Sequence, residues 1–537
     1  MPHMTGGEAI VRELELHGVD TVFGLPGAQI YGLFDALHGS NAIRVVGARH
    51  EQACGYMAFG YARASGKPGV YSVVPGPGVL NTGAALITAL GANEPVLCLT
   101  GQVPSEFLGK GRGHLHEMPD QLATLEGLTK WAGRMDHPSL VPMQVGRAFQ
   151  EMGSLRRGPA ALEMPWEQFG ARAPVDLAGP LPFAAEPPVD SDRIDEAAKL
   201  IATAKAPMIF VGSGAIDAAA EVRALAERLG APVVGFRSGR GIVSDRHPLG
   251  LTIADAYELW ADTDVVIGIG TRLEVPGWRW STRPDGQKTI RIDIDPTEFR
   301  RAPGDVNVLG GSAAAVSDLI AALEKAGAKL PDRTQIIADA RAKAARDIQD
   351  IRPHTQYLQA IRDVLPDDGI LTDELCQTGF ASYYAFPVYQ PRTFVSSGYQ
   401  GTLGSGFATA LGAKVAKPDV PVVSICGDGG FMFAVQELST AVQYGIAVTV
   451  LVFNNASYGN VRRDQQQRFD GREIASALEN PDFMKLADAF GVEGAQVRTP
   501  EALRPALERS FASGRTTLIE IPLELKDEAS PWRFIHR

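Results

Sequence analysis

The sequence predicts an α/β fold made of three doubly wound domains, each on a mostly parallel sheet. Three observations predict it. At 537 residues the chain exceeds what one hydrophobic core serves, since domains run to about 100–200 residues. Short, β-branched apolar runs alternate with helical patterns along the whole length, as in successive β-α-β units. Those runs are continuous rather than alternating, which marks strands buried on both faces.

Taken in order, the first segment offers strands at 69–74 and 96–100, the second at 208–211, 264–269 and 289–294, and the third at 420–426, 446–453 and 517–521. Proline and small residues thicken from 170 to 190 (GARAPVDLAGPLPFAAEPPVD) and read as an exposed connector. A charged, Ala-rich helix near 336–351 leads into Arg352-Pro353-His354. Domains are therefore expected at 1–170, 190–335 and 352–537.

Composition narrows the function classes. A net charge of −11 argues against nucleic acid or an anionic membrane surface as partner. The four cysteines, Cys54, Cys98, Cys376 and Cys426, are far apart with no CxxC, against a disulfide framework or zinc site and in keeping with a reducing cytoplasm. The opening MPHMTGGEAIVREL lacks a signal-peptide apolar region, and no run approaches the roughly 18 apolar residues of a membrane span. A cytoplasmic protein is expected.

The chemistry concentrates in the third segment. The strand at 420–426, a helix at 431–444 and the strand at 446–453 form a unit whose right-handed crossover sets both strand ends on one sheet edge. That carboxyl edge is where open α/β sheets bind ligands. Gly427-Asp428-Gly429-Gly430 follows the first strand, and Asn454-Asn455-Ala456-Ser457 the second. The Asp428 carboxylate, the Asn455 amide oxygen and a backbone carbonyl at Ser457 make an oxygen half-shell that suits Mg²⁺, completed by phosphate oxygens and water. The glycines let phosphate approach the chain, and the next helix presents its N-terminus. In the first segment, Phe23-Gly24-Leu25-Pro26-Gly27-Ala28 precedes Arg49-His50-Glu51. Glu51 opens a small-residue helix (EQACGYMAFGYARASG), and a Gly-rich turn follows at Pro75-Gly76-Pro77-Gly78. A glutamate there ordinarily stabilises the helix dipole; the small apolar residues behind it predict burial.

The Gly427-Asp428-Gly429 turn with Asn454-Asn455 resembles the signature of thiamine diphosphate (ThDP) enzymes. Over nearly its full length the chain resembles the acetolactate synthase-like members of the ThDP decarboxylase and carboligase superfamily. The matching stretches include FGLPGAQIYGLFDAL, RHEQACGYMAFGYARASGKPGV, PGPGVLNTGAALITALGANEPVL, GTLGSGFATALGA, GDGGFMFAVQEL and NNASYGN. The resemblance implies the ThDP-binding fold, with pyrimidine and diphosphate domains flanking a central Rossmann-like domain. It implies a homodimer or homotetramer with active sites at the dimer interface. It also implies ThDP and Mg²⁺ as cofactors.

Residue roles follow from the same resemblance. Glu51 matches the carboxyl that hydrogen-bonds the pyrimidine ring and ionises the cofactor, a role that burial in an apolar pocket would assist by raising its pKa. Leu403, within Gly401-Thr402-Leu403-Gly404, matches the apolar side chain beneath the bent cofactor. His50, Asn81 and Gly27 would line the pyrimidine pocket. Gln377 and Thr378 would meet diphosphate oxygens, together with Gly401, Gly427, Asp428, Gly429, Gly430, Asn455, Ser457, Tyr458 and Gly459. Asp428, Asn455 and Ser457 would hold the metal.

The chain also departs from the family. His116 stands where the synthases carry a substrate-facing glutamine, and a histidine there is suited to proton transfer or to holding an acceptor carbonyl. Asn460 and Asp464 replace a methionine and a tryptophan of the acceptor pocket, which predicts a more polar pocket, with Arg462 or Arg463 as candidates for a substrate carboxylate. Val211-Gly212-Ser213-Gly214 follows a strand, but Asp217 stands where a dinucleotide fingerprint needs its third glycine. The central domain is read as structural, with FAD or an ADP-like group at Arg237 and Arg240 as the alternative. The expected activity is decarboxylation of a 2-keto acid, pyruvate by default, with acyl-anion transfer to a second carbonyl. Simple decarboxylation, benzoin-type lysis and 2-hydroxyacyl- or oxalyl-CoA lysis remain open within the superfamily, as does a non-catalytic scaffold of the same fold.

Overall fold

Three six-stranded sheets, each wholly parallel, frame the computed structural model, which describes residues 1–537. The first runs Arg44–Gly47, Thr21–Gly24, Gly69–Val73, Val96–Gln102, Ala160–Pro165 and Trp131–Arg134 in spatial order. The second runs Gly250–Leu251, Val233–Gly235, Pro207–Val211, Val265–Ile269, Lys288–Asp293 and Val306–Leu309. The third, which carries the Gly-Asp-Gly turn, runs Phe394–Val395, Ile370–Thr372, Val422–Gly427, Thr449–Asn454, Thr517–Pro522 and Glu493–Gln496. Central strands such as Val422–Gly427 and Val265–Ile269 are buried at every position, because helices cover both sheet faces. A short pair, His3–Thr5 antiparallel to Arg172–Pro174, ties the N-terminus to the end of the first unit.

The helix expected at 431–444 is two helices, Asp428–Phe431 and Glu437–Tyr444. Between them the backbone tightens into i→i+3 bonds, Phe433 N to Gly430 O (3.1 Å) and Ala434 N to Phe431 O (3.0 Å). The bend seats Phe433 on Gly404, where an added Cβ would collide with the Phe433 side chain.

The hydrophobic clusters do not follow the three sheets one for one. The largest joins the first and third units through two crossing helices, Glu51–Ser65 and Ser405–Ala416. They approach through Gly60, against the Thr409 carbonyl, and Gly412, against the Met57 carbonyl; a side chain at either position would force the helices apart. A second cluster fuses the central and third units, with Trp260 and Trp280 on one side and Tyr357 and Phe453 on the other. Helix Thr334–Asp347 buries Ile337, Ala340 and Ala344 in it. No helix is long and apolar enough to cross a membrane.

Candidate functional site

The pairing of Gly427 with Phe453 in the third sheet sets Asp428 and Asn455 at adjacent strand ends. The Asp428 carboxylate accepts from Ser457 N (3.2 Å) and from Asn480 Nδ2 (2.7 Å). Ser457 Oγ donates to Asn455 Oδ1 at 3.0 Å, and Asn480 Nδ2 also reaches Asn454 Oδ1 at 3.0 Å. Burial pushes the Asp428 carboxyl up from its ordinary range, against the downward pull of the Asn480 amide and backbone donors.

Asp428, Asn455 and Ser457 line a cavity of about 350 Å³. Gln377, Thr378, Gly401, Leu403, Gly427, Asp428, Gly429, Gly430, Asn455, Ser457, Tyr458 and Gly459 all face it, so twelve of the sequence-derived cofactor residues share one space. The Gln377 side chain is buried, and neither its Nε2 nor its Oε1 finds a partner within the chain. A buried amide left so costs about 1–3 kcal/mol unless a ligand satisfies it. Two glycines of the turn answer to protein neighbours as well: a Cβ on Gly429 would come within 2.5 Å of Tyr458 Cε1, and one on Gly430 would strike the Glu374 carboxyl.

Sequence reasoning missed several polar residues here. His354 Nδ1 meets Thr378 Oγ1 at 2.9 Å and its Nε2 lies 3.3 Å from Glu528 Oε2. Glu528 Oε1 accepts from Asn455 Nδ2 at 2.7 Å, which leaves Asn455 Oδ1 as the oxygen available to a cation. Glu374 is fully buried, accepts from Gly404 N beside Leu403, and is pushed up to about 7 by burial. Asn480 and Glu528 sit in no motif, and only the fold brings them to Asp428 and Asn455. The acceptor-pocket candidates divide. Asn460 lines the cavity and accepts from Trp532 Nε1 at 2.5 Å. Arg462 is paired with Glu473 at 2.5 Å, and Arg463 is buried, donating to the Glu528 carbonyl.

Glu51, His50 and Asn81 form a separate cluster on the first unit, and neither they nor Gly27 or His116 line that cavity. Asn81 Nδ2 donates to Glu51 Oε2 at 3.0 Å, and His50 Nδ1 lies 4.0 Å from the same oxygen. His50 caps the helix, accepting at Nδ1 from Gln52 N. The helix behind Glu51 is buried as expected, but the carboxylate is not in an apolar pocket: its neighbours are an amide and an imidazole, and its side chain is 17% exposed. Gly27 packs against Val74. His116 sits on Gly76, at the start of the short helix Pro77–Asn81 that carries Asn81.

A second cavity, of about 290 Å³, lies where the first, central and third units meet. Of the two arginines expected to meet a pyrophosphate, only Arg237 lines this cavity, and both are committed. Arg237 pairs with Glu274 at 2.9 Å, and buried Arg240 is taken up by Asp245 and the carbonyls of Tyr383 and Phe386. Asp217, at the fingerprint's third glycine position, pairs with Arg157 at 2.8 Å.

Comparison with known proteins completes the picture. Residues 4–124, 194–319 and 376–521 match the N-terminal TPP binding domain, the central domain and the C-terminal TPP binding domain of thiamine pyrophosphate enzymes. A probable 2-ketoarginine decarboxylase from Pseudomonas aeruginosa is 34% identical, covering 96% of this chain and 94% of its own. A probable acetolactate synthase large subunit from Methanocaldococcus jannaschii is 33% identical over 97% and 92%. A sulfoacetaldehyde acetyltransferase from Castellaniella defragrans is 30% identical over 96% and 93%.

Proposed function

The chain belongs to the thiamine pyrophosphate enzymes, and on that premise we propose that it decarboxylates a 2-keto acid, pyruvate by default, and passes the acyl anion to a second carbonyl. The observation that carries the reading is the cavity floored by Asp428, Asn455 and Ser457, with the unpartnered Gln377 amide in its wall. The residues fit a diphosphate held through a hard cation. Asp428 and the Asn455 oxygen supply hard donors, Gln377 supplies an unused donor and acceptor, and the 350 Å³ volume lies within the range of about 300–1,000 Å³ typical of cofactor pockets. In this reading Asp428, Asn455 and the Ser457 carbonyl hold Mg²⁺, while Gln377, Thr378 and the glycine turn hold the diphosphate. The bound ThDP supplies the electron sink for the carbon–carbon chemistry. Leu403 supports it from the cavity wall, Glu51 hydrogen-bonds its pyrimidine and relays a proton there, and His116 faces substrate.

Because no first-unit residue lines the cavity, the reading needs a second copy, whose Glu51 cluster would close over it. A homodimer or homotetramer follows. The domain limits 1–170, 190–335 and 352–537 belong to the same proposal, as does a cytoplasmic setting, supported by four free cysteines. The committed Arg237 and Arg240 give no support to FAD or to a CoA thioester. The polar Asn460 at the cavity favours one second reading, decarboxylation of a polar 2-keto acid with release of the aldehyde, in line with the 2-ketoarginine decarboxylase relative.

Product analysis after incubation with pyruvate or a polar 2-keto acid, with and without ThDP and Mg²⁺, tests the proposal. Acetoin or acetolactate supports ligation, and free aldehyde supports the second reading. Glu51→Gln should abolish turnover while still binding ThDP; full turnover by that variant overturns the role of Glu51.

A further inference from the structure

His116 does not stand alone. Its Nδ1 lies 3.0 Å from Gln29 Oε1, and Gln29 Nε2 donates to the Leu115 carbonyl at 2.8 Å. Gln29 is 1% exposed. Both residues hold left-handed backbone, φ 73° at Gln29 and φ 63° at His116, a conformation that non-glycine residues adopt at an energetic cost and that clusters at functional sites. The surroundings leave no slack. The Gln29 carbonyl lies against Gly101 and the His116 carbonyl against Gly76, each so close that a Cβ on the glycine would collide with it.

The hydrogen-bonding chemistry of this pair has one solution. A carbonyl oxygen only accepts, so the Gln29 atom facing Leu115 O must be the amide nitrogen. The atom facing His116 is then the amide oxygen, which also only accepts, so Nδ1 must carry the proton. A neutral imidazole has a single N–H, and Nε2 is left with its lone pair. Flipping the Gln29 amide would set two oxygens against each other at Leu115 and lose that bond.

We propose that Gln29 is a positioning residue that locks His116 in the Nδ1–H tautomer, so that the neutral ring offers Nε2 as an acceptor and base. This narrows the expectation of proton transfer: His116 donates from Nε2 only after it has been protonated. Burial holds its pKa below the ordinary histidine value, so the neutral ring is the working form near pH 7. No charged neighbour reverses this. The adjacent Glu117 carboxylate turns back to accept from Gly111 N (3.0 Å) and His114 N (2.9 Å), and His114 stacks on Phe107. Nε2 has no partner within the chain, which leaves it for a hydroxyl donor such as a 2-hydroxy ketone product presents. That last step rests on the placement of His116 in the active site; the tautomer does not.

The test is ¹⁵N-histidine NMR of the full protein with ThDP and Mg²⁺ at neutral pH, the His116 signals being assigned by their loss in His116→Gln. The expected spectrum shows a protonated Nδ1 and a bare Nε2. Gln29→Met, close in size but without the amide, should release the lock and give Nε2–H or a tautomer mixture, with kcat about tenfold lower. Gln29→Glu keeps the acceptor, and should keep the tautomer while moving the His116 titration midpoint to higher pH. A wild-type ring protonated at Nε2 overturns the proposal. So does a tautomer unchanged in Gln29→Met, or, if that variant fails to fold, a midpoint unmoved in Gln29→Glu. If the tautomer behaves as stated but His116→Gln turns over at the wild-type rate, the lock stands and the placement of His116 in the active site falls.

Discussion

Asn480 offers a sharp test of the metal site, because it touches the candidate ligands without being one. Its Nδ2 spans Asp428 Oδ2 at 2.7 Å and Asn454 Oδ1 at 3.0 Å. In Asn480→Ala the Asp428 carboxylate keeps only the Ser457 N–H among these donors, at 3.2 Å, and is free to rotate away from the cation. A hydrogen bond to a charged group contributes about 1.5–3 kcal/mol, and about 1.4 kcal/mol is a factor of ten in affinity. Groups that orient metal ligands typically carry about 10–100-fold in affinity, and the two estimates agree. The assay is ThDP binding followed by intrinsic fluorescence across a Mg²⁺ titration. Half-saturating Mg²⁺ should rise about 10–100-fold, while the metal-free variant melts within a few degrees of wild type, since a partly exposed asparagine carries little of the fold. A half-saturating concentration within twofold of wild type would refute the reasoning and remove Asn480 from the site.

Two further outcomes follow from buried titratable groups. The four thiols are held above the ordinary cysteine range, chiefly by burial, with Cys98 at about 12. At pH 8 a charged disulfide reagent should leave the buried Cys54, Cys98 and Cys426 unmodified in the native protein and react with all four thiols in denaturant, Cys376 lining the cavity; rapid native modification of the three buried thiols would show that the packing around them is wrong. Glu374 is raised to about 7 and Asp373 to about 6, both by burial. Unfolded, both lose their protons near pH 4, so between about pH 4 and 7 the native state binds more protons and stability falls as pH rises. Glu374→Gln should flatten that decline in denaturant unfolding series at pH 5 and pH 8; an unchanged slope would contradict a buried, protonated Glu374.

The sheets were legible because buried parallel strands write themselves as short apolar runs. The stretch at 420–426 settled as Val422–Gly427 and that at 446–453 as Thr449–Asn454. The helix break at Met432–Gln436 was not legible, because it answers to Phe433 seated on Gly404 and not to any local breaker. The glycine turn and asparagine pair were visible because each follows an apolar strand, at the sheet edge where open α/β folds bind ligands. Asn480, Glu528 and Gln29 carried no such mark. Each is one polar residue in an ordinary segment, and its partner lies 52, 73 or 87 residues away in the chain. Within one chain the Glu51 carboxylate meets Asn81 and His50; the pattern showed the buried helix behind it and marked neither contact.

The most direct measurement is calorimetric titration of ThDP into the purified protein in the presence of Mg²⁺, repeated with a chelator and with Asp428→Ala. About one ThDP per chain should bind with Mg²⁺, and binding should vanish with the chelator and in the variant. No binding in the presence of Mg²⁺, or binding indifferent to both the chelator and the loss of Asp428, would contradict the cofactor site and the function built on it.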